Sequence, residues 1–366
     1  MDYELCTKYR LPAEWEPQSG VQLTWPHRDT DWAPILDDVL AVYQEMAREI
    51  SRRERLLIVG QASQRGSSPE EDRHAGKRDL LVSCPTNDTW ARDHGFITLF
   101  DDLTIDNLRF EPTRSQLSNS KLSNCKLLDF KFNGWGEKFP ADLDNAINRR
   151  LYDVGALHGE YVDHLDFVLE GGSIESDGKG TIFTTSQCLL APHRNQPLTR
   201  DEIEQRLKDY LCADRVLWID HGNLAGDDTD GHIDTLVRIC PDDTLLYIGC
   251  DDPSDEHYDD LRLMEEQLRT FRTIDGRPYH LMKLPMPSPI YDGDDRLPAT
   301  YANFLVINGA VLVPTYAQPD LDAEAMRIIG QAFPDRDIVG IDCRPLIRQH
   351  GSLHCCTMQF PEGVLG

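Results

Sequence analysis

The chain has 366 residues, 40% hydrophobic and 27% charged, a globular balance with room for one large core or two modest ones. Its formal net charge of −26 disfavours nucleic acid and anionic membrane surfaces as partners and favours a cationic ligand. No apolar run reaches the roughly 18 to 20 residues that span a bilayer, and the N-terminus has no apolar stretch behind a basic one, so a cytoplasmic protein is expected.

In chain order, Ile35, Leu36, Val39, Val42, Tyr43, Met46 and Ile50 fall at helical spacing behind Pro34 and predict a helix over 35–50. LLIV at 56–59 reads as a buried strand, and the polar, aperiodic stretch 61–79 as a surface loop or weak helix. A Thr199…Glu202 capping box opens a predicted helix over 199–211, followed by the strand RVLWI at 215–219. Further helices are predicted over 259–271 and 322–333, followed by strands at 279–284 and 337–341. Helices alternating with short β-rich runs indicate an α/β protein. No linker of biased composition divides the chain, so 1–366 reads as one domain.

Five polar clusters punctuate this alternation: TWARDHG (89–95), LEGGSIE (169–175), GDDTDGHID (226–234), TYANFLVINGA (300–310) and HGSLHCC (350–356). Most abut an apolar run, at irregular spacings of about 50 to 80 residues, as in a degenerate repeat whose units deliver polar residues to one centre. The ten cysteines form no CxxC pair and are spread along the chain, which argues against a disulfide scaffold and a thiolate zinc site; most read as buried apolar residues.

The residue types in the clusters match the needs of guanidinium hydrolysis. A planar, resonance-stabilised cation requires carboxylates on its N–H edges, a strong nucleophile for its central carbon and a proton shuttle for the leaving nitrogen. Asp93 is a candidate clamp, with Trp90 three residues before it to lie over the cation; the plainer alternative pairs Asp93 with Arg92. His232 and Asp234, if on a strand, share a face with Ile233 turned to the core. Glu170 precedes two glycines that permit close backbone approach. On a strand Cys355 and Cys356 would face opposite ways, and phase alone does not choose which meets a pocket.

The chain resembles the agmatine deiminases and related bacterial peptidylarginine deiminases of the guanidino-modifying pentein superfamily. The resemblance runs from LPAEWEP (11–17) through NDTWARDHG, FNGWG (132–136), LEGGSIESDGKGTIFTT, GHID and YANFLVINGAVLVP to FPDRDIVGID and GSLHCCTMQ. It implies a pseudo-fivefold α/β propeller of ββαβ units around a central site. It also implies Cys355 as nucleophile, His232 as general acid/base, Asp93 and Asp234 as guanidinium-binding carboxylates, and Trp90, Glu170 and Asn303 around the substrate. No metal or organic cofactor is implied. The implied reaction converts agmatine, a small cationic guanidine, to N-carbamoylputrescine and ammonia through a covalent thiouronium. Free arginine and peptidylarginine are the alternative substrates, and a zinc hydrolase or a non-catalytic polyamine-binding module are the rival classes. By family analogy the assembly is a homo-oligomer. Gln349-His350-Gly351-Ser352 departs from the three glycines and asparagine usual in the terminal motif.

Overall fold

Each helix–strand pair legible in the sequence is preceded by a hairpin, and the combination repeats five times among the residues that the computed structural model describes, 9–60, 79–101 and 125–366. The polar stretch 61–78 falls outside them. In the third unit Ile174–Ser176 pairs antiparallel with Thr181–Thr185, and Arg215–Ile219 then adds in parallel. A parallel neighbour cannot be reached by a tight turn, so a helix makes the crossover. The same order recurs in Ile97–Asp101, Cys125–Lys131 and Glu160–Val168, in Val237–Cys240, Thr244–Ile248 and His280–Leu284, and in Leu305–Ile307, Ala310–Thr315 and Asp337–Asp342. The remaining unit joins the chain ends: Thr357–Pro361 pairs antiparallel with Gln18–Thr24, which Arg55–Val59 flanks in parallel. The result is the pseudo-fivefold α/β propeller that the resemblance implied.

The crossover helices are α1 (Leu36–Ser51), α2 (Ile147–Asp153), α3 (Arg200–Leu211), α4 (Tyr258–Leu268) and α5 (Pro319–Ala332). Helix α1 buries Val39, Val42, Tyr43, Met46 and Ile50, the periodic face expected, in a cluster shared with Val311 and Val313. Burial of each large side chain contributes about 2 kcal/mol. Pro34 lies in a 3-10 turn, Ala33–Ile35, just ahead of the helix.

Two boundaries differ from the sequence reading by three residues. Helix α5 begins at Pro319, three residues earlier than expected, because proline's fixed φ suits a first helical position. Asp322 instead reaches back to accept the N–H groups of Tyr316 (3.0 Å) and Gln318 (2.9 Å). Helix α4 ends at Leu268 rather than 271, where the Thr270 hydroxyl donates to the Gln267 carbonyl at 2.6 Å and Phe271 turns toward Phe183. The capping box of α3 is present, with Thr199 Oγ1 accepting from Glu202 N at 3.3 Å and Glu202 Oε2 accepting from Thr199 N at 2.8 Å. Thr199→Ala is expected to cost about 1 kcal/mol of stability, read as a lowered thermal midpoint with unchanged activity. No helix among the described residues is long and apolar enough to cross a membrane.

Candidate active site

Each hairpin is entered through a tight turn, and these turns carry the polar clusters. They are Ala91–His94, Gly171–Ser173, Ile233–Thr235, the irregular residues 300–304, and His354–Cys356. Three of them share a device: a hydroxyl donates to the carbonyl three residues back, from Ser173 to Glu170 (2.6 Å), Thr235 to His232 (2.8 Å) and Thr357 to His354 (2.9 Å). Such local bonds compete with strand pairing.

The strand expected at His232-Ile233-Asp234 is therefore a correction. Asp227 accepts the N–H groups of Thr229 (3.2 Å) and Gly231 (2.6 Å), Thr229 Oγ1 accepts from His232 N (3.1 Å), and Asp230 and Gly231 take positive φ. The segment folds as a 3-10 turn. His232 and Asp234 still reach the same site while Ile233 is buried in a hydrophobic cluster. The terminal motif is likewise a turn, with Cys355 on the cavity wall and Cys356 buried in the core near Tyr43.

The fold gathers all seven residues singled out from the sequence. Asp93 Oδ2 accepts from Trp135 Nε1 at 2.9 Å, and its Oδ1 accepts from Gly172 N at 3.1 Å and lies 3.6 Å from His232 Nδ1. Asp234 Oδ2 is 2.7 Å from His354 Nδ1 and 4.0 Å from Cys355 Sγ. The Cys355 thiol lies 3.4 Å from Asn303 Oδ1, which also accepts from His354 N at 2.9 Å. Glu170 stands behind His232 and is held by Arg194 Nε at 2.8 Å. Trp90 lies at right angles to Trp135, centroids 6.4 Å apart. Trp90, Asp93, Trp135 and Cys355 line a cavity of about 150 Å³ whose walls also carry Asp31, Asp88 and Asp228.

Arg92 does not pair with Asp93. Its Nη1 lies 3.2 Å from Glu14 Oε1, and it also bonds Gln359. Glu14 further meets His354 Nε2 at 2.7 Å and Arg238 Nη2 at 2.5 Å, and Arg238 Nε meets Glu175 Oε1 at 2.6 Å. This buried network holds the far side of His354, and through it Asp234. Glu14 comes from the LPAEWEP motif, whose part in the site was not evident from sequence. Trp135, Arg194 and Cys188 were also missed. FNGWG did signal Trp135 as part of the resemblance, but spacing alone gave it no partner.

Burial pushes the Asp93 carboxyl up to about 6, helped by Asp234 and Glu170 and opposed by His232 and Trp135. Burial favours neutral His232, but Asp93, Cys188 and Glu170 around it together more than offset this and raise the imidazole well above its ordinary value. Burial also acts to raise Asp234, yet His354, His232 and Arg238 together hold it below the ordinary value. Cys355 is raised well above a normal thiol by burial and by Asp234 and Asp93. A cation bound between these carboxylates reverses the last effect and favours the thiolate. If Asp93 holds a cationic substrate it must be ionised to do so, and kcat/KM is then expected to fall about tenfold per pH unit as pH drops below about 6. A profile flat from pH 7 to 5 contradicts this.

A five-unit α/β propeller that brings a cysteine, a histidine and two carboxylates to its axis defines a pentein. The chain belongs to the Porphyromonas-type peptidyl-arginine deiminase family, whose model matches residues 10–361. It is similar to a putative arginine deiminase from Porphyromonas gingivalis, with 48% identity, coverage of 98% of this chain and 100% of that one, and a TM-score of 0.87. It is similar also to agmatine deiminase of C. jejuni, solved with substrate bound, at 35% identity, 97% coverage of each chain and a TM-score of 0.84. The agmatine deiminase of Stutzerimonas stutzeri is 32% identical over 96% of this chain and 95% of its own.

Proposed function

We propose that the protein is an agmatine deiminase. The carrying observation is the set of charges around the cavity: Asp93, Asp31, Asp88 and Asp228 line it with Cys355, Asp234 lies behind the Cys355 thiol at 4.0 Å, and no Arg or Lys is among its described lining residues. Agmatine is cationic at both ends. The α-carboxylate of free arginine would instead meet acidic walls without a basic partner. The relatives named agmatine deiminases support the same reading.

In the proposed reaction Asp93 and Asp234 clamp the guanidinium and Trp90 covers its plane. The bound cation promotes loss of the Cys355 proton to solvent water, and Sγ bonds to the central carbon. His232 protonates one nitrogen, the C–N bond breaks and ammonia leaves. The neutral imidazole that remains takes a proton from water, which attacks the thiouronium carbon. The C–S bond then breaks, releasing N-carbamoylputrescine. The reaction is a hydrolysis with no change of oxidation state: one water is consumed, one ammonia leaves, and the hydroxyl proton of the tetrahedral adduct replaces the one Cys355 lost. We place it in the cytoplasm.

Comparing kcat/KM for agmatine, arginine and a blocked peptidyl arginine tests the substrate. Agmatine is expected to lead by at least about tenfold, roughly the effect of one unpaired charge at a partly exposed site. A lead for either arginine compound overturns the agmatine assignment and leaves the deiminase chemistry standing.

A further inference from the structure

We infer that Glu170, Cys188 and His232 form a binding site for one thiophilic divalent metal ion, zinc above all, and that its occupancy switches the enzyme off. One donor atom from each residue lies within 4.8 Å of the other two, and all three residues are 0% exposed. Glu170 Oε2 and both ring nitrogens of His232 have no hydrogen-bond partner in the structure, a costly state for buried polar atoms. One ring nitrogen of His232 and one carboxylate oxygen of Glu170 share a small volume with the Cys188 sulfur, while Nδ1 of His232 lies 3.6 Å from Asp93 Oδ1.

The side chains are held from behind as metal ligands usually are. Arg194 Nε fixes the other oxygen of Glu170 at 2.8 Å, and Thr185 Oγ1 accepts from Cys188 N at 3.2 Å, anchoring the turn Ser186–Leu189 that presents the thiol. Tetrahedral zinc bonded to S, N and O at about 2.0–2.3 Å sets its donors about 3.5 Å apart, so the three side chains close by about an ångström. The fourth position is left for water. Thiolate and carboxylate together neutralise a dipositive ion, and binding releases both the thiol proton and the extra proton of the His232 imidazolium. The Arg194 charge opposes the cation, and Asp230, 2.7 Å from Arg194 Nη1, offsets it. Asp93 lies beside His232 and lines the acidic cavity, which gathers divalent ions near the site. Loss of activity follows because a metallated His232 can neither give nor take a proton, a consequence that rests on the role proposed for it above.

Cobalt(II) is the direct probe, since its spectrum reports a thiolate ligand without turnover. Metal-free wild type is expected to take up one Co2+ per chain with a thiolate-to-cobalt charge-transfer band and intense tetrahedral d–d bands. Cys355→Ser should show the same spectrum. Cys188→Ser should lose the charge-transfer band, and Glu170→Gln, which keeps the oxygen facing Arg194, should weaken binding at least tenfold. Zn2+ should inhibit the wild type, with full recovery on chelation. A charge-transfer band lost in Cys355→Ser but kept in Cys188→Ser places the metal on the nucleophile and overturns the inference. So does wild type that binds cobalt without a thiolate band, or not at all. If Cys188→Ser does not fold, wild type, Cys355→Ser and Glu170→Gln decide. A chain that binds cobalt as described but hydrolyses no guanidine keeps the site and removes only the proposed function.

Discussion

Cys355→Ser is expected to lower kcat by on the order of 10^4-fold or more, with a thermal midpoint close to that of the wild type. The hydroxyl nearly matches the thiol in shape and can still donate to Asn303 Oδ1, 3.4 Å from the sulfur. Its far higher pKa denies the guanidinium carbon a usable anion. Cys356→Ser is the matching control. That thiol is fully buried in the core near Tyr43, and burial pushes it up to about 12, so its replacement should cost stability rather than chemistry. Steady-state rates and melting curves of both variants check the pair. Comparable losses of activity would show that the turn His354–Cys356 does not sort the two cysteines as described.

Gly172→Ala is expected to lower kcat/KM by about 10^2-fold although it adds one methyl group. A Cβ there would sit 2.6 Å from His232 Nδ1, 2.9 Å from Asp93 Oδ1 and 3.1 Å from Asp234 Oδ2. All three side chains are buried, and Asp93 and Asp234 are further tied to Trp135 and His354, so none has a free end to swing aside. The methyl group would push apart the proton carrier and both carboxylates at once. Gly172 was visible in the sequence as one of a pair of glycines permitting close approach; the structure identifies what approaches. Kinetics of this variant within about twofold of wild type would mean that these three groups need not hold their present spacing.

The outer parts of the molecule were the most legible in the sequence. The apolar stripe of α1, the capping box of α3 and the β-rich runs after the helices are local signals, and each lies where expected. The clusters were legible as clusters but not in their local form. His232, Asp234 and Cys355 lie in turns made by side-chain hydroxyls and carboxylates, which strand periodicity does not describe. The spacing of Glu170 to Ser173, His232 to Thr235 and His354 to Thr357 was present in the sequence as a repeated signal, but it gains meaning only once the hydroxyl bonds are seen. Glu14 and Arg238, 224 residues apart, could not be paired from spacing. Cys188 looked like one more small buried residue, because nothing local to it announces His232 and Glu170.

The central claim is that Cys355 attacks a guanidinium-shaped cation held at the axis. A chloroacetamidine bearing an aminobutyl tail has that planar cation and places an alkylating carbon where the thiolate strikes. Peptide mapping after its reaction with the protein is the most direct measurement. The account predicts one label per chain, on Cys355, forming in step with loss of activity and slowed by agmatine. A label confined to another cysteine, or full activity with Cys355 completely modified, would contradict it.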